Sequence, residues 1–275
     1  MTISNLDINT TLATKILSGF IKSELGRVGF KRAVIGLSGG IDSALSLALA
    51  TEAIGKENVL AVRMPYKASS QDSLDHAQLC IDKFGVQSLT IPITEMADPV
   101  IALDPDMSKT RKGNIMARCR MIVLYDQSEA FGGLVIGTSN KTEILLGYST
   151  IFGDSASALN PIGDLYKTQV RQLSRALGVP DEIVDKAPSA DLWADQTDES
   201  ELGFTYAEVD KLFYLLIDQR YSMNECVEAG FDEAFVQAVI KRVRQNQFKR
   251  MMPPIAKVSN RTIGYDFLYL RDWGT

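Results

Sequence analysis

Arg32-Ala33-Val34-Ile35-Gly36-Leu37-Ser38-Gly39-Gly40-Ile41-Asp42-Ser43 decides how this chain is read. Its first half is a short apolar run with β-branched residues, the pattern of a buried parallel strand. It turns through Ser38-Gly39-Gly40 and leaves into an Ala/Leu-rich helical stretch from Ala44 onward. Strand, glycine turn and helix N-terminus together make an anion cradle. The glycines let backbone approach an oxygen-rich ligand, and the free N–H groups of the first helical turn favour negative charge there. A Walker-A loop needs a Lys-Ser/Thr pair after its last glycine, and none follows here. A carboxylate beside such a cradle is electrostatically wrong unless a cation intervenes. Asp42 therefore reads as a Mg2+ ligand, since Mg2+ is usually held by one or two carboxylates plus phosphate oxygens.

Around this stretch, strands alternate with helices. Leu12, Ile16, Leu17, Phe20, Ile21 and Leu25 recur at helical spacing before it. Residues 58–65 read as a second buried strand that stops at Pro65. Ser70-Gln71-Asp72-Ser73 opens a helix carrying Leu74, Ala77, Ile81 and Phe84 on one face, with His76, the only histidine, off that face and solvated. Residues 86–93 supply a third strand. A break rich in Pro and Asp at 99–106 precedes a long helix over 108–130 and a fourth strand at 133–137. Residues 148–157 read as a mobile loop, 158–162 as a short edge strand, and 166–177 as a helix ended by Gly178 and Pro180. A polar loop or lid is expected at 188–203. Helices then run to Met251, stopped by Pro253-Pro254, and the aromatic tail at 261–275 is expected to pack. The pattern predicts an α/β fold, a doubly wound parallel five-stranded sheet of order 3-2-1-4-5. One domain is expected, with an α/β core over about residues 30–185 and a helical C-terminal extension over about 204–275.

In such a sheet, ligands sit at the carboxyl ends of the strands where strand order reverses. The order 3-2-1-4-5 puts that point between the first and fourth strands. Asp42 and Glu143 should then face each other across the crevice. Composition narrows the rest. The net charge of −5 argues against a nucleic-acid surface. No apolar run is long enough to span a bilayer, and the first residues lack the pattern of a secretory signal. The three cysteines, Cys80, Cys119 and Cys226, are scattered, as in a reducing compartment. A cytoplasmic protein without nucleic-acid or membrane partners is expected.

Ser38-Gly39-Gly40-Ile41-Asp42-Ser43 resembles the pyrophosphate-binding loop of the N-type ATP pyrophosphatases, within the adenine-nucleotide alpha-hydrolase-like folds. Further segments, in order along the chain, resemble the NAD synthetase family: Arg63-Met64-Pro65-Tyr66, Lys112-Gly113-Asn114, Ala117-Arg118, Gly137-Thr138 with Glu143, Gly153-Asp154, Asn160-Pro161, Leu165-Tyr166-Lys167, residues 186–192, Glu201-Leu202-Gly203 and Lys249-Arg250. The resemblance implies ATP- and Mg2+-dependent amidation of deamido-NAD by ammonia in a homodimer, with the dinucleotide near the subunit interface. It implies ATP contacts at Gly36, Leu37, Ser38, Gly39, Gly40, Ile41, Asp42, Ser43, Arg63, Thr138, Lys167 and Ser189. It implies Mg2+ ligands at Asp42 and Glu143, and deamido-NAD contacts at Arg118, Asp154, Phe248 and Lys249. The chain departs from the family pattern at Ile151, at residues 155–158 and at Phe248.

On this reading Lys167 is a point charge suited to a leaving pyrophosphate. Asp154, an acid in a glycine-containing loop, is the candidate to bind ammonium and take its proton. With no room for a glutaminase domain in 275 residues, free ammonia or a separate glutaminase is expected to supply nitrogen. Two other readings stand beside it: another adenylating enzyme with the same loop, such as a tRNA-modifying one, and a nucleotide-binding regulatory module without turnover.

Overall fold

The computed structural model describes residues 6–187 and 198–268. In it Ala33–Gly36 forms β1, central in the sheet. The chain begins with α1 (Thr10–Arg27), and after β1 come α2 (Ile41–Ile54), β2 (Val59–Arg63), α3 (Gln71–Phe84) and β3 (Gln87–Thr90). Next are α4 (Thr94–Ile101), α5 (Lys109–Phe131), β4 (Leu134–Val135), α6 (Lys141–Leu146), α7 (Lys167–Ala176) and α8 (Asp181–Val184). The C-terminal part holds α9 (Asp198–Leu202), α10 (Tyr206–Phe213), α11 (Met223–Glu228) and α12 (Glu233–Gln245).

All pairings are parallel: Ala33 lies opposite Val59 on one side and Leu134 on the other, and β2 pairs with β3. The four-stranded order is β3-β2-β1-β4. The expected fifth strand is reduced to a single parallel bridge between Ile136 and Leu159. Two backbone bonds make it: the Ala158 N–H donates to the Val135 carbonyl and the Gly137 N–H to the Leu159 carbonyl.

Side-chain alternation sends the sheet's two faces into different cores. Ala33, Ile35, Val59 and Ala61 pack with α1, α2 and α7. Val34, Leu60 and Val62 pack with Met116, Cys119 and Val123 of α5. Every residue from Ser43 to Ala50 is buried, so α2 is enclosed on all sides until its last turn, where Glu52 is exposed. A third cluster joins Val209, Leu212 and Phe213 of α10 and Val236 and Val239 of α12 to Leu146 of α6 and to Tyr166. The C-terminal helices are thereby packed against the very elements that carry the second half of the crevice.

Several expectations are revised. The six apolar residues of α1 divide into two stripes: Ile21 and Leu25 are buried, with Leu17 packed beside them, while Leu12, Ile16 and Phe20 are exposed. The break expected at 99–106 starts later, because α4 runs through Pro99 to Ile101. Burial of Ile93 and Ala97 outweighs the hydrogen bond that Pro99 cannot make. His76 is half-buried with its Nδ1 enclosed, not solvated. The tail does not pack over its described part: Ile263, Tyr265 and Leu268 are exposed, although Thr262 is buried.

Candidate active site

A cavity of about 990 Å³ opens at the carboxyl ends of β1 and β4, where the strand order reverses. Its floor is the glycine turn. Gly39 has φ +81°, and a Cβ there would lie 2.1 Å from the backbone oxygen of Ser73, so only glycine fits. The Ser38 hydroxyl accepts from the Gly40 N–H (3.2 Å) and lies 3.1 Å from the Ser43 hydroxyl, which donates to the Gly40 carbonyl (2.9 Å). These bonds fix the turn. Gly40 supplies no side-chain cap to α2, so the first-turn N–H groups face the cavity without a capping partner.

At the edge of this floor three charged groups meet. Lys167, the first residue of α7, places Nζ 2.5 Å from Asp42 Oδ2 and 3.1 Å from Glu143 Oε1. Its side chain is 3% exposed. Asp42 and Glu143 thus converge across the crevice, from the starts of α2 and α6. Asn140, fully buried, ties the two acids together: its Nδ2 donates to Asp42 Oδ1 (2.8 Å), and its Oδ1 accepts from the Glu143 N–H (3.0 Å). Asn140 and Glu143 also form the reciprocal capping box that starts α6. The Tyr206 ring lies 5.0 Å from Lys167 Nζ. Buried Asp198 accepts from the hydroxyls of Tyr148 and Tyr206, each at 3.1 Å.

The charges are unequal. Burial works against the Lys167 ammonium, but the carboxylates of Asp42 and Glu143 outweigh it and raise its pKa. Burial raises the Glu143 carboxyl, and the Asp42 charge acts in the same sense against Lys167. Asp198 is also raised, mainly by burial. Three acids therefore surround one lysine. Among the described residues no group of three His, Cys, Asp or Glu could hold a metal by itself. Two converging carboxylates beside uncapped helix N–H groups fit a hard divalent cation such as Mg2+, which Asp42 and Glu143 would hold.

Most of the expected site residues line this cavity: Gly36, Leu37, Ser38, Gly40, Ile41, Asp42, Ser43, Arg63, Thr138, Glu143, Asp154, Lys167 and Lys249. Gly39 acts behind the wall, against Ser73. Arg63 donates to Gln78 Oε1 (2.8 Å). Asp154 caps its own loop by accepting the Thr150 N–H (2.7 Å), and Thr150 is pinned to Asn114 of α5. Asp154 is exposed on the cavity wall, and desolvation by the surrounding cleft raises its carboxyl against its hydrogen bonds and the charges of Lys249 and Arg120. Lys249 Nζ donates to the carbonyls of Gly147 (2.7 Å) and Ser149 (2.6 Å), and burial lowers its pKa. Arg118 lies outside the cavity wall, exposed, with a guanidinium nitrogen 3.3 Å from the Ile151 carbonyl. Phe248 is also exposed and off the wall. Ser189 lies outside the described residues.

Asn140, Tyr206, Asp198 and Lys186, whose Nζ donates to Ser73 Oγ (3.2 Å), were given no role by the sequence. Only Asn140 had a local signal, the Asn-x-x-Glu spacing of a capping box.

Residues 13–253 match a family model described as NAD synthase. A relative from Trichlorobacter lovleyi, named NH(3)-dependent NAD(+) synthetase, is 57% identical over 98% of this chain and 99% of its own. Among solved structures, an NMN synthetase from Francisella tularensis superposes with TM-score 0.81 and 31% identity, covering 91% of this chain and 99% of that one. An NH3-dependent NAD synthetase from Campylobacter jejuni, solved with nitrate ion, gives TM-score 0.78 and 33% identity over 91% of this chain and 100% of that one.

Proposed function

This chain belongs to the NAD synthase family, and from that membership we propose that it amidates deamido-NAD with ammonia, at the expense of ATP, through an adenylated intermediate. The observation that carries the reading is the meeting of Asp42, Lys167 and Glu143 beside an uncapped helix N-terminus. A carboxylate is a poor electrophile, and its oxygen a poor leaving group. Attack of the nicotinate carboxylate on the α-phosphorus of ATP cures both faults and expels pyrophosphate. Ammonia then attacks the activated carbonyl carbon, and AMP leaves with the C–O electron pair.

The first step needs charge stabilisation, not proton transfer. The N–H groups of the glycine turn hold phosphate oxygens, and Lys167 supplies a fixed positive charge near them. Asp42 and Glu143 would hold Mg2+, which neutralises charge on the leaving pyrophosphate. Asn140 fixes the separation and orientation of these two acids. The second step needs neutral ammonia although ammonium dominates at neutral pH. Asp154, on the cavity wall, binds the ammonium and takes its proton.

Purified protein supplied with deamido-NAD, ATP, Mg2+ and ammonium salt is expected to release pyrophosphate and AMP and to form NAD in equal amounts. ATP turnover with tRNA but not with deamido-NAD would overturn the assignment in favour of another adenylating enzyme. Preference for nicotinate mononucleotide would move it to a mononucleotide substrate. We also propose that the active form is a homodimer.

A further inference from the structure

We infer that Asp210, on α10 of the C-terminal part, is a positioning residue that holds Lys167 and Glu143 in register. It is fully buried and lies outside the cavity wall. One carboxylate oxygen accepts from the Thr142 hydroxyl (2.5 Å) and the other from the Thr168 N–H (2.8 Å). The same Thr142 hydroxyl oxygen accepts the Lys167 N–H (3.1 Å). One acid thus grips the starts of two helices at once, one residue from Glu143 on α6 and one from Lys167 on α7.

The geometry explains why a carboxylate stands there. The first N–H groups of a helix have no partner within it, and Tyr166 provides α7 with no oxygen cap of the usual Ser, Thr, Asp or Asn kind. Asp210 and Thr142 together satisfy the N–H groups of Lys167 and Thr168 from outside the helix. The Thr142 hydroxyl and the Lys167 and Thr168 N–H groups all find an acceptor in this pair. Burying an acid in this place is costly unless it is hydrogen-bonded; each Asp210 oxygen accepts one bond, although burial still outweighs these bonds and raises the carboxyl. A leucine would fill the same space in the apolar cluster around α10 without linking α6 to α7. Lys167 Nζ must meet a phosphate oxygen while the Glu143 carboxylate would hold the Mg2+ beside that phosphate, and displacement of either by about 1 Å can cost about 100-fold in rate.

This inference rests on the roles proposed above for Lys167 and Glu143, and its test keeps the two apart. The full chain and the variants D210A, T142V and T142S are compared by three readouts: steady-state pyrophosphate release, amide hydrogen exchange at Lys167 and Thr168, and thermal unfolding. At a temperature where each variant is fully folded, D210A and T142V are expected to lose about 10- to 100-fold in kcat. KM for ATP should move less than about three-fold, because the glycine turn is untouched. The two amides should exchange faster in both variants, and T142S, which keeps the hydroxyl, should restore rate and protection. Folded T142V with kcat within about two-fold of wild type, or T142S as slow as T142V, overturns the inference. Should D210A not fold, the pair T142V and T142S decides alone. If the wild-type chain shows no turnover, the proposed function fails, and unchanged exchange at the two amides in T142V then overturns the positioning role independently.

Discussion

Lys167 brings one positive charge to three acids, and substitutions on the two sides of that imbalance should act in opposite directions on stability. Lys167→Ala leaves Asp42 and Glu143 facing each other without their shared counter-ion. Removing one partner of a buried pair typically costs about 3–5 kcal/mol. A loss of about 3 kcal/mol in denaturant unfolding is expected, together with loss of pyrophosphate release. Glu143→Gln should do the reverse to stability. The Glu143 carboxyl is raised in the folded protein from its ordinary 4.5 to about 8. Between those values the folded state keeps a proton that the unfolded state has lost, so ligand-free stability falls as pH rises through the window. Glutamine removes that loss. Measured with chelator present, Glu143→Gln should unfold about 2–4 °C above wild type at pH 8.5 and close to wild type at pH 4.5, while losing activity at both. A melting point unchanged at pH 8.5 would show that folding does not raise the Glu143 carboxyl. Asp154→Asn separates the two chemical steps: it should slow NAD formation far more than pyrophosphate release. Equal loss in both would remove Asp154 from ammonia activation.

The elements show which parts of the site can be read from letters. The β1 turn into α2 is local, and Ser38-Gly39-Gly40 states its chemistry directly: a positive φ at Gly39 and no room for a Cβ. Gly39→Ala is therefore expected to destabilise by more than about 2 kcal/mol, because the atom it meets is Ser73 backbone and cannot rotate away. Soluble Gly39→Ala protein with a wild-type unfolding midpoint would show that the turn tolerates another conformation. The unbroken apolar runs at Ala33–Gly36 and Val59–Arg63 likewise point to a parallel sheet buried on both faces. The fifth strand shrinks to one bridge at Leu159, which carries no periodicity that letters could show. Pro99 was over-read as a break because packing beneath α4 is not visible in a proline. Glu143 enters through the strand order, which sets it across the crevice from Asp42, and is reinforced by the family resemblance; Lys167 enters through the resemblance alone. Asp210 and Tyr206 had no such signal, for they act across tertiary contacts: Asp210 meets Thr142 from 68 residues away. Asn140 was legible in principle, since its capping box is written in four consecutive letters.

Across the whole molecule, the apolar surface left outside the three cores bears on the proposed dimer. On α5, Ile122 is 53% and Tyr125 43% exposed, one and nearly two turns beyond Arg118, so all three share a helix face. Family resemblance implies that Arg118 holds the dinucleotide and that the dinucleotide lies near the subunit interface. Arg118 lies outside the cavity wall, with its guanidinium on the Ile151 carbonyl at the start of the Asp154 loop. A second subunit seated on Ile122 and Tyr125 would give that guanidinium an enclosed site for an anionic substrate and would bury the apolar pair. The chain of 30.3 kDa should then sediment at twice that mass. Ile122→Asp places a charge in the centre of the buried face, where interfaces exclude charge, and should yield monomers of unaltered unfolding midpoint. Because the dinucleotide would lose one wall and ATP none, KM for deamido-NAD should rise at least about ten-fold while KM for ATP stays within about two-fold. A monomeric Ile122→Asp protein with an unchanged KM for deamido-NAD would place Arg118 and its ligand away from the interface. A variant that remains dimeric would move the interface to another face, such as the exposed stripe of Leu12, Ile16 and Phe20 on α1.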